Sequence, residues 1–188
     1  MDPLPARILA FWFGPAPHAS RPEWFRKDER FDAAIRDQFG EAVGVALAGG
    51  HGAWCETPHG ALARILLLDQ FTRNIHRGTP RAFAGDERAL ATAVHCVERG
   101  FDRALDVYER WFCYLPFEHS EDAAMQERSL ALFRALADDS GDPAPYTWAE
   151  KHAAVVHRFG RYPHRNAILG RPSTPEEEQF LREPGSSF

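Results

Sequence analysis

Apolar residues recur along nearly the whole chain at intervals of three and four, and no run of four or more alternates as strictly as a half-buried strand requires. That periodicity points to an all-α fold. Asp28 is placed to cap a helix carrying Phe31, Ile35, Phe39, Val43 and Leu47 on one stripe, ended by Gly49 and Gly50. Thr57 and Pro58 supply a cap and a first-turn proline for a second helix, whose stripe of Leu62, Ile65 and Leu66 runs on to Asp69. A third runs from about Asp86 to Arg99, with Leu90, Val94 and Val97 inward and Gly100 as its stop. The aromatic-rich stretch from Leu105 to Leu115 is expected to end before Pro116, which disfavours helical backbone at the residue before it. Ser120 then caps a helix with Glu121 and Asp122 at its positive end and Met125, Leu132, Phe133 and Leu136 facing in. Asp138 to Pro145 reads as a turn, and Trp148, His152, Val155, Val156 and Phe159 form the last long stripe. Thr174 to Glu177 is a capping box opening a short terminal helix.

These elements pair across short connections, the pattern of stacked antiparallel helical hairpins, with an irregular helical bundle as the alternative. Residues 1–188 read as one domain, long enough to bury roughly 70% of its extended surface without staples. A net charge of −5 gives no field to attract a polyanion, so nucleic acid is not expected as a partner. The one N-terminal apolar run, Ile8 to Phe13, is too short for a signal-peptide core or a membrane span, so no membrane partner is expected and the location reads as cytoplasmic. Cys55, Cys96 and Cys113 have no spacing that suits a zinc site or a disulfide framework and read as small hydrophobes in a reducing compartment. HExxH, a P-loop, a dinucleotide fingerprint and a serine nucleophile elbow are all missing, so neither a metal nor a cofactor is expected. Trp12, Trp24, Trp54, Trp111 and Trp148 look like core anchors, and His152 like a hydrogen-bonded core histidine.

Three segments put polar residues where apolar ones are due. In Asp69-Gln70-Phe71-Thr72-Arg73-Asn74, Asp69 falls on the buried stripe and Arg73 stands four residues on, so an Asp69–Arg73 pair is the minimal reading. The second segment is Leu115 to Glu121, between two helices, and the third is Arg158 to Asn166, where the last long helix ends. Asn74 to His119 and His119 to His164 are both 45 residues. If the hairpins stack, these turns share one edge, and Arg73, Asn74, Glu118, His119, Arg161, His164 and Arg165 converge on one rim, joined by Arg77, Glu121 and Asn166 nearby in the chain. A rim so rich in arginine suits a binding module for a small anionic metabolite or an acidic peptide end. Alternatively Glu118 and His119 form the acid–base pair of a cofactor-independent hydrolase or lyase. A third reading is a scaffold that binds proteins on a concave face, and the plainest is an ion-pair network that locks consecutive turns together.

The three segments, with Ile8-Leu9-Ala10-Phe11-Trp12-Phe13-Gly14 and the closing Pro184-Gly185-Ser186-Ser187-Phe188, resemble a bacterial family catalogued as domain of unknown function 924. The resemblance spans Ile8 to Phe188. It implies a TPR-like α-α superhelix and no established activity. Thr72 stands where the family usually has proline, a change expected to relax the turn, and Phe188 is apolar enough to dock.

Overall fold

The computed structural model describes residues 2–186, and every regular element among them is helical. Helix α1 (Leu4–Phe13) buries Ile8, Trp12 and Phe13. In α2 (Glu29–Leu47) the Asp28 carboxylate accepts from the amides of Arg30 and Phe31, and Ile35, Phe39 and Val43 are buried. Helix α3 (Pro58–Leu66) starts at the Thr57 hydroxyl, which accepts from the Gly60 amide at 3.2 Å. Every residue of α3 from Gly60 to Leu66 is buried. The reason is its central place: α1, α5 and α6 all pack on it, and α2 covers its continuation. That continuation is a π-helical turn, Leu67–Phe71, followed by α4 (Thr72–Ile75).

Helix α5 (Asp86–Glu98) is followed by Gly100 in the left-handed conformation. Helix α6 (Val107–Glu118) opens with a capping box of Asp106 and Glu109. Helices α7 (Ala123–Ser140) and α8 (Ala144–Phe159) pack along each other, and α7 also packs on α6. Their connections are short enough to make successive helices antiparallel neighbours. Two short helices follow, α9 (Asn166–Leu169) and α10 (Pro175–Phe180), the latter with the capping box expected at Thr174 and Glu177. Among the described residues no helix is long and apolar enough to cross a membrane.

The main core is aromatic. The Trp12 ring stands edge-on to Phe112 at 5.3 Å and lies near Trp24, Phe31 and Phe71, and the Trp24 indole donates to the Trp12 carbonyl at 2.9 Å. A smaller cluster of Val155, Val156 and Tyr162, with Phe159 and Phe180, seals α8 against α10.

Three helix ends differ from the sequence expectation, and so does the exposure of Trp148. Helix α6 runs through Pro116 to Glu118, because a proline so near the end costs one hydrogen bond and the next turn still closes, His119 amide to Leu115 carbonyl at 2.8 Å. Ser120 stays with α6 through its own amide, so Asp122 caps α7 instead, accepting from the Met125 amide at 3.1 Å. The turn after α7 is confined to 141–143, between a left-handed Gly141 and Pro143. Trp148 is 47% exposed at the margin of its stripe, with the Lys151 ammonium over its ring, whereas Ala149, His152, Ala153, Val155 and Val156 are buried. Of the cysteines, Cys96 and Cys113 are buried and Cys55 is half-buried. Phe188 lies outside the described residues.

Candidate functional site

The π-helical turn puts a carboxylate in the interior. Asp69 is fully buried, and both its oxygens are engaged. Oδ1 accepts the His119 Nδ1–H at 2.7 Å and faces the Arg73 guanidinium at 2.8 Å, whose Nη1 donates to the Asp69 carbonyl at 3.1 Å, and Oδ2 accepts from the Gln70 amide at 2.6 Å. Burial alone would push this carboxyl up, but the charge of Arg73 and the contacts with His119 and Gln70 outweigh it and hold it well below the usual carboxylate range. Thr72 belongs to no loose turn: its hydroxyl donates to the Leu67 carbonyl at 2.8 Å and secures the π register.

His119 ends α6. Its Nδ1 proton is committed to Asp69, so Nε2 carries the lone pair. Burial lowers the pKa of the ring, against the opposing charge of Asp69, which leaves a neutral imidazole with 16% of its side chain exposed. The preceding residue, Glu118, is 3% exposed. Burial, with the Asp69 charge adding to it, raises its pKa to about 8, so it is a protonated acid at neutral pH. Its Oε1 faces His152 Nδ1 at 3.4 Å, and Oε2 has no hydrogen-bond partner among the described residues. His152 donates from Nδ1 to the Trp148 carbonyl at 2.9 Å, and burial lowers its pKa to about 3.

The rings of His119, His152, Tyr162 and His164 follow one another at 6.5, 5.8 and 5.5 Å. Burial, then the neighbouring Arg165, lowers His164 to about 4. The backbone between α6 and α7 is pinned from behind: the Gln126 amide donates to the Glu118 carbonyl at 2.8 Å and the Ser120 carbonyl at 2.6 Å, and the Tyr162 hydroxyl donates to the Glu118 carbonyl at 2.5 Å.

Arg73 and Arg165 close the group. Arg73 holds Asp86 through two bonds, at 2.8 and 3.1 Å, while Arg165 reaches Asp86 at 3.3 Å and the His119 carbonyl at 3.0 Å. The Arg165 guanidinium lies 4.6 Å from the Tyr162 ring centre and 4.9 Å from that of Phe83. Asp86 reaches this place because Gly85 lets the start of α5 press on the π turn: a Cβ there would sit 2.0 Å from the Leu68 carbonyl oxygen.

Of the expected residues, the fold gathers Arg73, Glu118, His119, His164 and Arg165. The others fall into separate ion-pair groups. Asn74 and Arg77 both turn to Asp32 of α2, at 2.6, 2.9 and 3.0 Å, because α4 packs on α2. Glu121 accepts from the Tyr162 amide and pairs with Arg171 at 2.7 and 3.0 Å. Arg161 holds Glu177 at 2.6 and 2.8 Å, and Asn166 bonds Glu177 and Ser173, which fastens α10. Sequence reasoning did not place Asp86, His152 and Tyr162 in the group. Asp86 carries only the signal of a first-turn acid, His152 reads as a core histidine, and Tyr162 lies in the third polar segment without being singled out.

A model of a bacterial protein family of unknown function, DUF924, matches residues 8–185. The chain belongs to this family. It is also similar to the solved structure of a protein of unknown function from Agrobacterium tumefaciens, at 41% identity and a TM-score of 0.87, over 96% of this chain and 99% of that one. A search of curated proteins gives no match. All the residues of the Asp69–His119 group lie within the stretch matched by the DUF924 model, as do the separate groups at Asp32 and Glu177.

Proposed function

We propose that this DUF924 chain is an acid–base enzyme, a hydrolase or lyase that needs no bound cofactor, with His119 as general base and Glu118 as general acid. The observation that carries the reading is the 2.7 Å contact between His119 Nδ1 and the fully buried Asp69 carboxylate, beside a carboxyl group that burial keeps protonated. Asp69 fixes the tautomer and orients the ring, so His119 Nε2 can take a proton from water or from a carbon acid. Glu118 can return one to the leaving group. Two groups whose surroundings drive their pKa values apart are suited to those opposite tasks at one pH.

Anion capture is the weaker reading, because the arginines it needs already face carboxylates: Arg73 is paired with Asp69 and Asp86, Arg165 with Asp86, and Arg161 with Glu177.

The assignment is tested without a substrate by nitrogen-15 NMR of the histidine rings. At pH 7 His119 is expected neutral with its proton on Nδ1, and a charged ring or an Nε2–H tautomer refutes the assignment. Turnover is then sought with p-nitrophenyl acetate, p-nitrophenyl phosphate and a panel of hydroxy acids. A productive substrate should give a bell-shaped pH profile whose acid limb lies below 6.5, where His119 charges, and whose alkaline limb lies near 8, where Glu118 ionises. His119→Ala should remove that turnover by a factor on the order of 100 to 10,000.

A further inference from the structure

At the other end of α6 a second set of ligating side chains meets, drawn from three separate stretches of chain. His18 lies in the loop after α1, His59 in the first turn of α3, and Asp106 and Glu109 form the capping box of α6. The box uses one oxygen of each carboxylate: Asp106 Oδ1 accepts from the Glu109 amide and Glu109 Oε2 from the Asp106 amide, both at 3.0 Å. The second oxygen of each faces an imidazole, Asp106 Oδ2 at 2.5 Å from His18 Nδ1 and Glu109 Oε1 at 3.4 Å from His59 Nε2. The ligand atoms of His18, Asp106 and Glu109 all lie within 4.8 Å of one another.

Three features favour a metal ion over a pair of ordinary ion pairs. His18 Nδ1 is buried and makes no hydrogen bond, although Asp106 Oδ2 is so near, so the nitrogen meets the carboxylate out of line for N–H···O. The Glu109 side chain is only 7% exposed, and among the described residues no lysine or arginine forms an ion pair with either carboxylate. The Glu109 charge is drawn almost wholly out of water beside a second carboxylate, Asp106, that is 43% exposed, and the dipole of α6, worth about half a charge, is too small to compensate the pair. His18 is also pre-set, its ring stacked on Phe13 at 5.1 Å, while His59 is more than half exposed and can turn in.

We propose that His18, Asp106 and Glu109, completed by His59, bind a divalent transition-metal ion of the zinc class. Two imidazole nitrogens and two carboxylate oxygens suit a tetrahedral zinc ion, whereas calcium and magnesium favour all-oxygen sets. With four protein ligands the site is closed, and its work is structural: the ion clasps the loop after α1 and the start of α3 to α6. His119 stands about 18 Å further along α6, so this inference is independent of the acid–base reading.

The test uses the full chain stripped with a chelator, then titrated with zinc by calorimetry and with cobalt as an optical probe. The expected result is one ion per chain with a dissociation constant tighter than about 100 μM, a rise in melting temperature, and a cobalt spectrum of four-coordinate intensity. His18→Ala and His59→Ala leave the capping box intact, and each should weaken zinc binding by more than about tenfold. Absence of binding to the wild type, or unchanged affinity in either variant, overturns the site.

Discussion

At the scale of single residues, the energetics of the site turn on two carboxyl groups treated oppositely by the same interior. Asp69 stays charged because the Arg73 guanidinium lies against it and His119 and Gln70 donate to it. Asp69→Asn would remove the buried charge that faces both Arg73 and His119 and leave Arg73 with Asp86 alone, a loss of about 3 kcal/mol in urea denaturation. Glu118 has no such donors and keeps its proton. In the unfolded chain it ionises near 4.5, in the fold near 8. Between those values the folded state holds one more proton, so Glu118 contributes a loss of stability as the pH rises. Glu118→Gln should therefore stabilise the protein at pH 8, by a few kcal/mol at most, and change little at pH 4.5. Equal effects at the two pH values would sink that account. The sequence made Asp69 legible, since a carboxylate on a buried stripe demands a cation and Arg73 stands one turn away. It could not reveal Asp86 as the second partner of Arg73, because that contact depends on the tertiary approach of α5.

At the scale of elements, local rules succeeded where a single backbone signal decided the outcome and failed where two competed. Thr57, Thr174 and Asp28 cap their helices as their positions imply. Between α6 and α7, however, the cap expected at Ser120 moved to Asp122, read as a first-turn acid, because the bond from the Ser120 amide to the Phe117 carbonyl keeps Ser120 with α6. Asp122→Ala should accordingly lower stability by about 1 kcal/mol, and Ser120→Ala by clearly less, as read by thermal melts. The π turn left no mark in the apolar periodicity, since one extra residue per turn shifts the stripe only locally. Its partner element is sensitive instead. Gly85→Ala drives a Cβ into the Leu68 carbonyl, and because the obstacle is backbone, α5 must move away and take Asp86 from Arg73. The variant should melt well below the wild type, and a melt unchanged within error would mean that α5 does not press on the π turn.

At the scale of the whole molecule, the buried histidines oppose Glu118. His152 and His164 titrate near 6.5 when unfolded but near 3 and 4 in the fold, and His119 is lowered in the same direction. Below 6.5 the unfolded chain therefore binds the extra protons, and stability falls with falling pH, further still as Asp32, Asp69, Glu121 and Glu177, all held low by their partners, are protonated. Well above 6.5 those groups are silent, and Glu118, joined by the buried Cys113 towards pH 9, changes with the opposite sign. Two histidines outweigh one carboxyl in the range they share, from 4.5 to 6.5, so the curve should rise to a maximum near 6.5 and then decline towards 8. Urea midpoints measured from pH 3 to 9 would trace it. Glu118→Gln should turn the alkaline decline into a plateau, and His152→Gln should soften the acid limb while leaving the alkaline one in place. A wild-type curve that climbs without a break through pH 8 would mean that Glu118 is ionised in the fold, and the general acid of the proposed reaction would be lost with it.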